Sequence, residues 1–586
     1  MTATHLPAGP PEAAPAADPP AGPAPGGPAP GGPAWRAVPI GLLAATLYLT
    51  GAPRRLPRPR LARPVRRSPR LAAAGHAAAW PAAWVTLFVV YLHVARTVAV
   101  TSDGASNVLQ AWDMLHGNLL LRGWQLSDVS FYPTELPQYA LIEAVRGLSA
   151  QVVPIASAMT YSLLALLAAL LAKGRATGRD AVVRCMIAVG IMAAPQPGDA
   201  VYVLLGSPDH IGSTVPVLAA FLLLDRAPRR WWVPPAAAAM LAWGLAADDI
   251  VLVTGVLPVL AVCLARGYGL VRLGRRGEAW FEAELAAAAI GAVWAARAGV
   301  AAVTAHGGFT VWPVRAMFVP AAGLPHSLLV AGEGLLLLFG ADFLGRAYGL
   351  AAGLAAVHLA GLVLAAWGCC AVLRRFRAAG LAGQLLAVGA VATLAAYALS
   401  TRASGLLSAR DITAVLPFGA ALAGRLSGRL SAAGLLPALA AVLACYLAGL
   451  GIVVAAPPAR QPDAALAGWL ASHHLDYGLA DYWDANVTTV QTAGRVRLRA
   501  IAGRGSSVST GYWETRPQWY APAANYANFV VLSPGPSGSG AYPTIASVRA
   551  AFGQPARIYG LGRYTILIWD KNLLAGLIRG SPPQGR

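Results

Sequence analysis

Charge is scarce in this chain. Only 12% of its 586 residues are Asp, Glu, Lys or Arg, while 57% are hydrophobic; an ordinary soluble domain carries roughly 25% charge. That excludes a water-soluble globular protein and indicates a polytopic membrane protein. Lysine is nearly absent: Lys173 and Lys571 stand alone among 45 basic residues. With abundant Ala, Gly and Pro, this arginine bias points to a GC-rich genome. Cysteine is sparse too. Cys185, Cys263, Cys369, Cys370 and Cys445 all lie in or beside hydrophobic runs, and none falls in the polar C-terminal region. A disulfide framework and a zinc-ligand spacing are both excluded, leaving buried, inert thiols. Acidic residues number 25, so where they gather is informative.

The net charge of +20 does not indicate nucleic-acid binding. The arginines form no single basic surface; they sit in short clusters between hydrophobic runs, where the positive-inside rule places them. Residues 1–34 are Pro/Ala/Gly-rich without apolar periodicity and are expected to be disordered. The apolar stretch 37–51 is shorter than the roughly 20 residues a span needs. It also lacks the basic start and cleavage site of a secretory signal. Eight arginines between Arg54 and Arg70 then pin the segment in the cytoplasm. The first 79 residues are therefore set apart as a disordered cytoplasmic region. Hydrophobic spans come next, at 80–100, 151–172, 181–197, 211–225, 232–247, 250–265, 280–302, 347–372, 381–400, 411–426 and 433–456. Arginine-bearing loops alternate between them, so these eleven spans leave the C-terminal region outside the membrane.

Acids and histidines collect on the outer face. The first outer loop, 101–150, carries Asp103, Asp113, Asp128 and Glu135. A carboxylate at a membrane boundary can act as general base towards a hydroxyl, or share a divalent cation with a phosphate. Asp103 follows the first span directly, with Gly104 beside it for backbone freedom. The plain alternative is that Asp103 caps a helix with Ser102 as partner. Asp113, in AWDMLHG, sits on a short amphipathic segment expected to lie on the bilayer, with a solvated polar face as its alternative role. Further outer corners hold Ser207-Pro208-Asp209-His210 and Asp248-Asp249. Adjacent acids do not share one helix face, so at most one of Asp248 and Asp249 is expected in any site. His210 can also be a satisfied loop histidine, since no HxxxH or DxD spacing accompanies it. Arg410 begins a span at the outer surface against the positive-inside trend. A phosphate or a carboxylate would explain it, as would a simple pair with Asp411. Mid-span charge is limited mainly to Arg297 and His358, which argues against a transporter.

An acid just after the first convincing span, a long first outer loop, about eleven spans and an outer C-terminal domain together resemble the GT-C superfamily of membrane glycosyltransferases. The resemblance covers about residues 80–456. It implies transfer of a sugar from a polyprenyl-phosphate donor to an acceptor outside the cell membrane, amid membrane lipid. It implies Asp103 as catalytic base, a second acid at Asp209, Asp248 or Asp249, and Arg410 meeting the carrier phosphate; Asp113, Asp209 and His210 are the further candidate substrate contacts by their own chemistry. Asp248 and Asp249 would hold a divalent cation, Mg or Mn. Two departures stand out: Gly104 replaces the second acid of the frequent Asp-Glu pair, and no WWDYG-type motif is present. The composition also resembles multi-pass membrane proteins of actinobacteria.

Residues 457–586 change character. Strands are expected at 495–501, 528–532, 557–559 and 564–569, and helices at 463–474 and 544–552, giving a small extracytoplasmic α/β domain. Two aromatic-dense stretches, Tyr482-Trp483-Asp484 and 511–520, suit either a core or a sugar-binding surface. Two other classes of protein fit the composition: a non-enzymatic protein handling lipid or envelope polymer, which would tolerate Asp103→Asn, and a transporter, which needs a polar midplane path.

Overall fold

The computed structural model describes residues 69–193, 199–207, 210–312, 316–534 and 542–580, with side chains from residue 79 onward and excepting Arg504. The stretches expected to be disordered or too short to span, 1–34 and 37–51, and the arginine cluster up to Ser68 lie outside the described residues. The chain forms a bundle of apolar helices capped by a small sheet domain. Among the described residues, seven helices are long and apolar enough to cross a membrane. They become eight if Leu406–Ile412 and Val415–Gly424, which meet at a 60° bend, form one broken span. Other expected spans appear as shorter helices, such as Gly178–Met192, Thr214–Arg226 and Val233–Ala247. One apolar helix was not expected, Leu324–Leu338. Glu333 and two glycines interrupt its hydrophobicity, and with the turn before it the helix forms the candidate span Ala321–Leu338.

The helices pack through small residues. A Cβ at Gly190 would meet the Leu443 side chain at 2.1 Å, and one at Gly368 the Leu422 backbone at 2.8 Å. Lipid offers no hydrophobic drive for helix association, so close backbone approach at glycine and alanine supplies the packing. The arginine loops are tied down as well. Arg229 pairs with Glu278 and Glu282, Arg266 with Glu282, and Arg425 with Asp225.

The outer loop folds into helices of its own, Ser102–Leu115 and Leu136–Arg146. The first is not laid on a bilayer. Its residues from Gly104 to Ala111 are buried, packed against Leu136–Arg146 and the Tyr482–Gln491 helix.

The C-terminal domain is a six-stranded sheet in the order β3-β2-β1-β4-β6-β5. Its strands are β1 Tyr477–Ala480, β2 Arg497–Arg504, β3 Ser507–Thr510, β4 Phe529–Leu532, β5 Arg557–Leu561 and β6 Tyr564–Ile568. β1 runs parallel to β2 and β4, and every other pairing is antiparallel. The four expected strands and both expected helices are present. β4 is buried along its whole length, because apolar clusters cover both faces of the sheet. A short backbone ladder ties this domain to the outer loop. Gln125 and Thr515 exchange two hydrogen bonds at 2.8 and 3.0 Å, while Leu126 N–H donates to the Thr310 carbonyl at 2.8 Å.

Candidate active site

Between the helix bundle, at the end that carries the first loop, and the C-terminal domain lies a cavity of about 970 Å³. Its membrane-side wall carries Asp103, Asp128, His210, Arg402, Arg410 and Asp411; the opposite wall carries Asp481, Tyr482, Trp483, Tyr512, Trp513 and Glu514. The second wall lies at the carboxyl end of β1, where parallel strands of open α/β sheets present their sites. There Asp481 caps the Tyr482–Gln491 helix, accepting from the backbone N–H groups of Trp483 and Asp484.

Asp103 occupies the first turn of Ser102–Leu115, where the helix dipole favours an anion. Thr101, not Ser102, is the cap, accepting from the Gly104 N–H at 3.1 Å. Gly104 is helical, and its role is close packing rather than backbone freedom: a Cβ there would meet Val153 Cγ1 at 2.9 Å. The missing second acid has the same cause, since position 104 has no room for a side chain. Asp103 Oδ1 accepts from the Tyr482 hydroxyl at 2.7 Å, and Oδ2 lies 3.5 Å from Arg410 Nη1. The expected base and the expected phosphate partner are therefore neighbours on one wall.

Beside them runs a charge network. Arg402 donates through Nε to Asp411 at 2.9 Å and through Nη1 to Asp128 at 3.0 Å. His210 Nδ1 lies 2.9 Å from Asp248 and its Nε2 3.4 Å from Asp411. Burial disfavours the imidazolium, yet Asp248, Asp411 and Asp128 outweigh it and raise the His210 pKa to about 10. His210 is therefore a charged strut joining two carboxylates at the cavity edge.

The remaining expected residues divide. Asp113 stands apart from the cavity lining. Its oxygens accept from Arg516 Nη1 at 3.0 and 2.9 Å, from Asn118 at 2.6 Å and from the Trp124 indole at 2.9 Å. This saturation makes it a clamp between loop and domain, not a substrate contact. Asp209 lies outside the described residues. Asp248 is spoken for by His210, by the Ser213 hydroxyl at 3.2 Å and by the Ile250 N–H at 3.0 Å. It leaves the Val233–Ala247 helix with extended backbone, so the helix-face argument fails. Asp248 and Asp249 both border a second cavity, of about 340 Å³, with Asp128 and Arg297. Burial and the neighbouring Asp248 raise the Asp249 pKa above the usual carboxylate range. No group of three His, Cys, Asp or Glu able to hold a metal forms among the described residues. Both oxygens of Asp248 are engaged by protein donors, which does not fit a cation ligand.

Of the two mid-span charges on which a transporter reading turns, Arg297 is exposed on the Arg276–Ala305 helix and His358 is not. Arg297 borders the second cavity, and His358 is buried, stacked on Tyr446 with ring centroids 3.9 Å apart.

Arg402 was given no role from the sequence, and Tyr482 and Glu514 fell in the two aromatic-dense stretches that suited either a core or a sugar-binding surface. Glu514 had one detectable trace in the structure, a left-handed φ of +47°, which a residue with a Cβ adopts only under constraint.

A mostly helical bundle, a structured first loop bearing an acid, and a C-terminal α/β domain closing over it make up a fold that has solved counterparts. ArnT from Cupriavidus metallidurans in its apo state is similar, with a TM-score of 0.50 and 12% identity over 87% of this chain and 100% of that one. ArnT bound to undecaprenyl phosphate matches with a TM-score of 0.49 and 12% identity over 84% of this chain and 98% of that one. The Archaeoglobus fulgidus oligosaccharyltransferase, in complex with zinc and sulfate, matches at 0.45 and 13% identity over 77% and 68%. No protein-family model matches the sequence, and no curated protein does.

Proposed function

We propose that the chain is a GT-C-type glycosyltransferase that moves a sugar from a polyprenyl-phosphate carrier to a cell-envelope acceptor. The observation that carries this reading is Asp103 standing 3.5 Å from Arg410 on the wall of a large cavity where helices meet the C-terminal domain. Arg410, which is 41% exposed, contacts the carrier phosphate as it leaves and stabilises its growing charge. Asp103 takes the proton of the acceptor hydroxyl, whose oxygen then attacks the anomeric carbon. The bond from that carbon to phosphate oxygen breaks, and its electron pair leaves with the phosphate. Under this reading about eleven spans place the N-terminus in the cytoplasm and the C-terminal domain outside, so the reaction faces outward. The test is sugar transfer in membranes from a panel of radiolabelled polyprenyl-phosphate donors. Transfer by wild type that is lost in an equally abundant Asp103→Asn variant supports it. Equal transfer by both removes Asp103 from the mechanism.

A further inference from the structure

The cavity contains a proton-counting problem. The Tyr482 hydroxyl lies 2.7 Å from Asp103 Oδ1 and 2.7 Å from Glu514 Oε2. A phenol has one proton to donate, so it satisfies one carboxylate, and the other contact needs a proton of its own. The Asp103 charge is favoured by Arg410 and by the helix N-terminus. Glu514 is only 3% exposed, and its left-handed backbone holds the side chain in place at a conformational cost. Among the described residues, this unit brings together Arg410 from the membrane wall, Asp103 from the first loop, and Tyr482 and Glu514 from the C-terminal domain.

The geometry points to Glu514 as a protonated carboxylic acid that donates to the Tyr482 oxygen while Tyr482 donates to Asp103. Tyr482 and Glu514 are thereby positioning residues for the base, and the C-terminal domain supplies half of the reaction centre. The inference rests on the glycosyl-transfer reading for its consequence, though not for its geometry. At turnover the acceptor's proton arrives on Asp103 and Glu514 releases its own into the cavity. The Tyr482 proton then passes to Glu514 as Asp103 passes its new proton to the Tyr482 oxygen, and the starting arrangement returns. One proton enters, one leaves, and Tyr482 stays neutral throughout. Its pKa is pushed up by burial and by both carboxylates, in keeping with that neutrality.

The test is infrared spectroscopy of the full chain in lipid nanodiscs at pH 7, comparing wild type with Glu514→Gln, Asp103→Asn and Tyr482→Phe. The carbonyl stretch of an un-ionised carboxyl should disappear in Glu514→Gln, persist in Asp103→Asn and shift to higher frequency in Tyr482→Phe, where its hydrogen bond is lost. Bands from other carboxyls whose pKa is raised, such as Glu143 and Asp484, should be the same in all variants and cancel in the difference spectra. No Glu514-dependent band, or one that vanishes in Asp103→Asn instead, overturns the inference. In the transfer assay Tyr482→Phe should lower kcat about 10- to 100-fold with KM unchanged; wild-type kcat would overturn the positioning role. If the band behaves as expected and no donor supports transfer, the proton arrangement stands and the glycosyl-transfer reading falls.

Discussion

Arg516 closes on Asp113 across 403 residues of sequence, with Nη1 at 3.0 and 2.9 Å from the two carboxylate oxygens. One residue belongs to the outer loop and the other to the C-terminal domain, so this pair holds the cavity's two walls in register. Trp124 adds its indole N–H to the same carboxylate and sets its ring edge-on to Trp519, with centroids 5.0 Å apart. Asp113→Ala strands the Arg516, Asn118 and Trp124 donors and is expected to cost about 2–4 kcal/mol. Chemical unfolding should register that loss, with the C-terminal domain becoming more sensitive to protease.

His210 makes stability depend on alkaline pH. Its folded pKa of about 10 lies above the ordinary 6.5, so the folded protein binds its proton more tightly than the unfolded chain does. That contribution is complete below pH 6.5 and is lost as the pH rises to about 10, at roughly 1.4 kcal/mol per pH unit at most. Thermal unfolding from pH 6 to 10 should show the decline, and His210→Asn should flatten it while lowering stability at neutral pH.

Glu143 acts in the same direction from a different cause. It is 1% exposed, and neither carboxyl oxygen meets a hydrogen-bond partner among the described residues. Burial raises its pKa to about 9. The unfolded chain ionises near pH 4.5 while the folded protein stays neutral, so stability falls across that window. Glu143→Gln removes the penalty without changing shape. It should raise the unfolding temperature by several degrees at pH 8 and leave it little changed at pH 5. A lower temperature at pH 8 would contradict the assignment.

Arg410→Ala should raise KM for a polyprenyl-phosphate donor about tenfold to a hundredfold, the value of a charge-assisted contact to phosphate. Steady-state kinetics with varied donor measure it directly. An unchanged KM would place the carrier phosphate elsewhere.

Hydropathy and arginine spacing made the membrane bundle legible, because both follow from the cost of burying polar groups in lipid. They missed Leu324–Leu338, whose Glu333 and glycines dilute the signal. In the C-terminal domain, runs such as Phe529–Leu532 declared themselves as buried strands. Tyr477–Ala480, with four residues and a glycine, did not. No helix was expected at Tyr482–Gln491, whose Val and Thr residues are weak helix formers. The Asp481 cap and the packing of Val487 and Val490 against the outer loop decide the matter. For the site, Asp103 and Arg410 could be selected individually as acids and bases at a membrane boundary. Their partners could not. Tyr482 is 379 residues from Asp103, and Arg402 is 274 from Asp128; only the folded chain pairs them. For Asp113 and Asp248 the sequence does not show which donors have already claimed the carboxylate.

The central claim, that Asp103 is the base of a glycosyl transfer, is tested most directly by a single-turnover reaction. Purified wild type and Asp103→Asn in nanodiscs would each be given a labelled polyprenyl-phosphate sugar, and release of free polyprenyl phosphate followed with time. The account predicts release coupled one-to-one to glycosylated product in wild type, and a rate at least about a hundredfold lower in the variant at equal donor binding. Release and product formation at the wild-type rate in Asp103→Asn would contradict it.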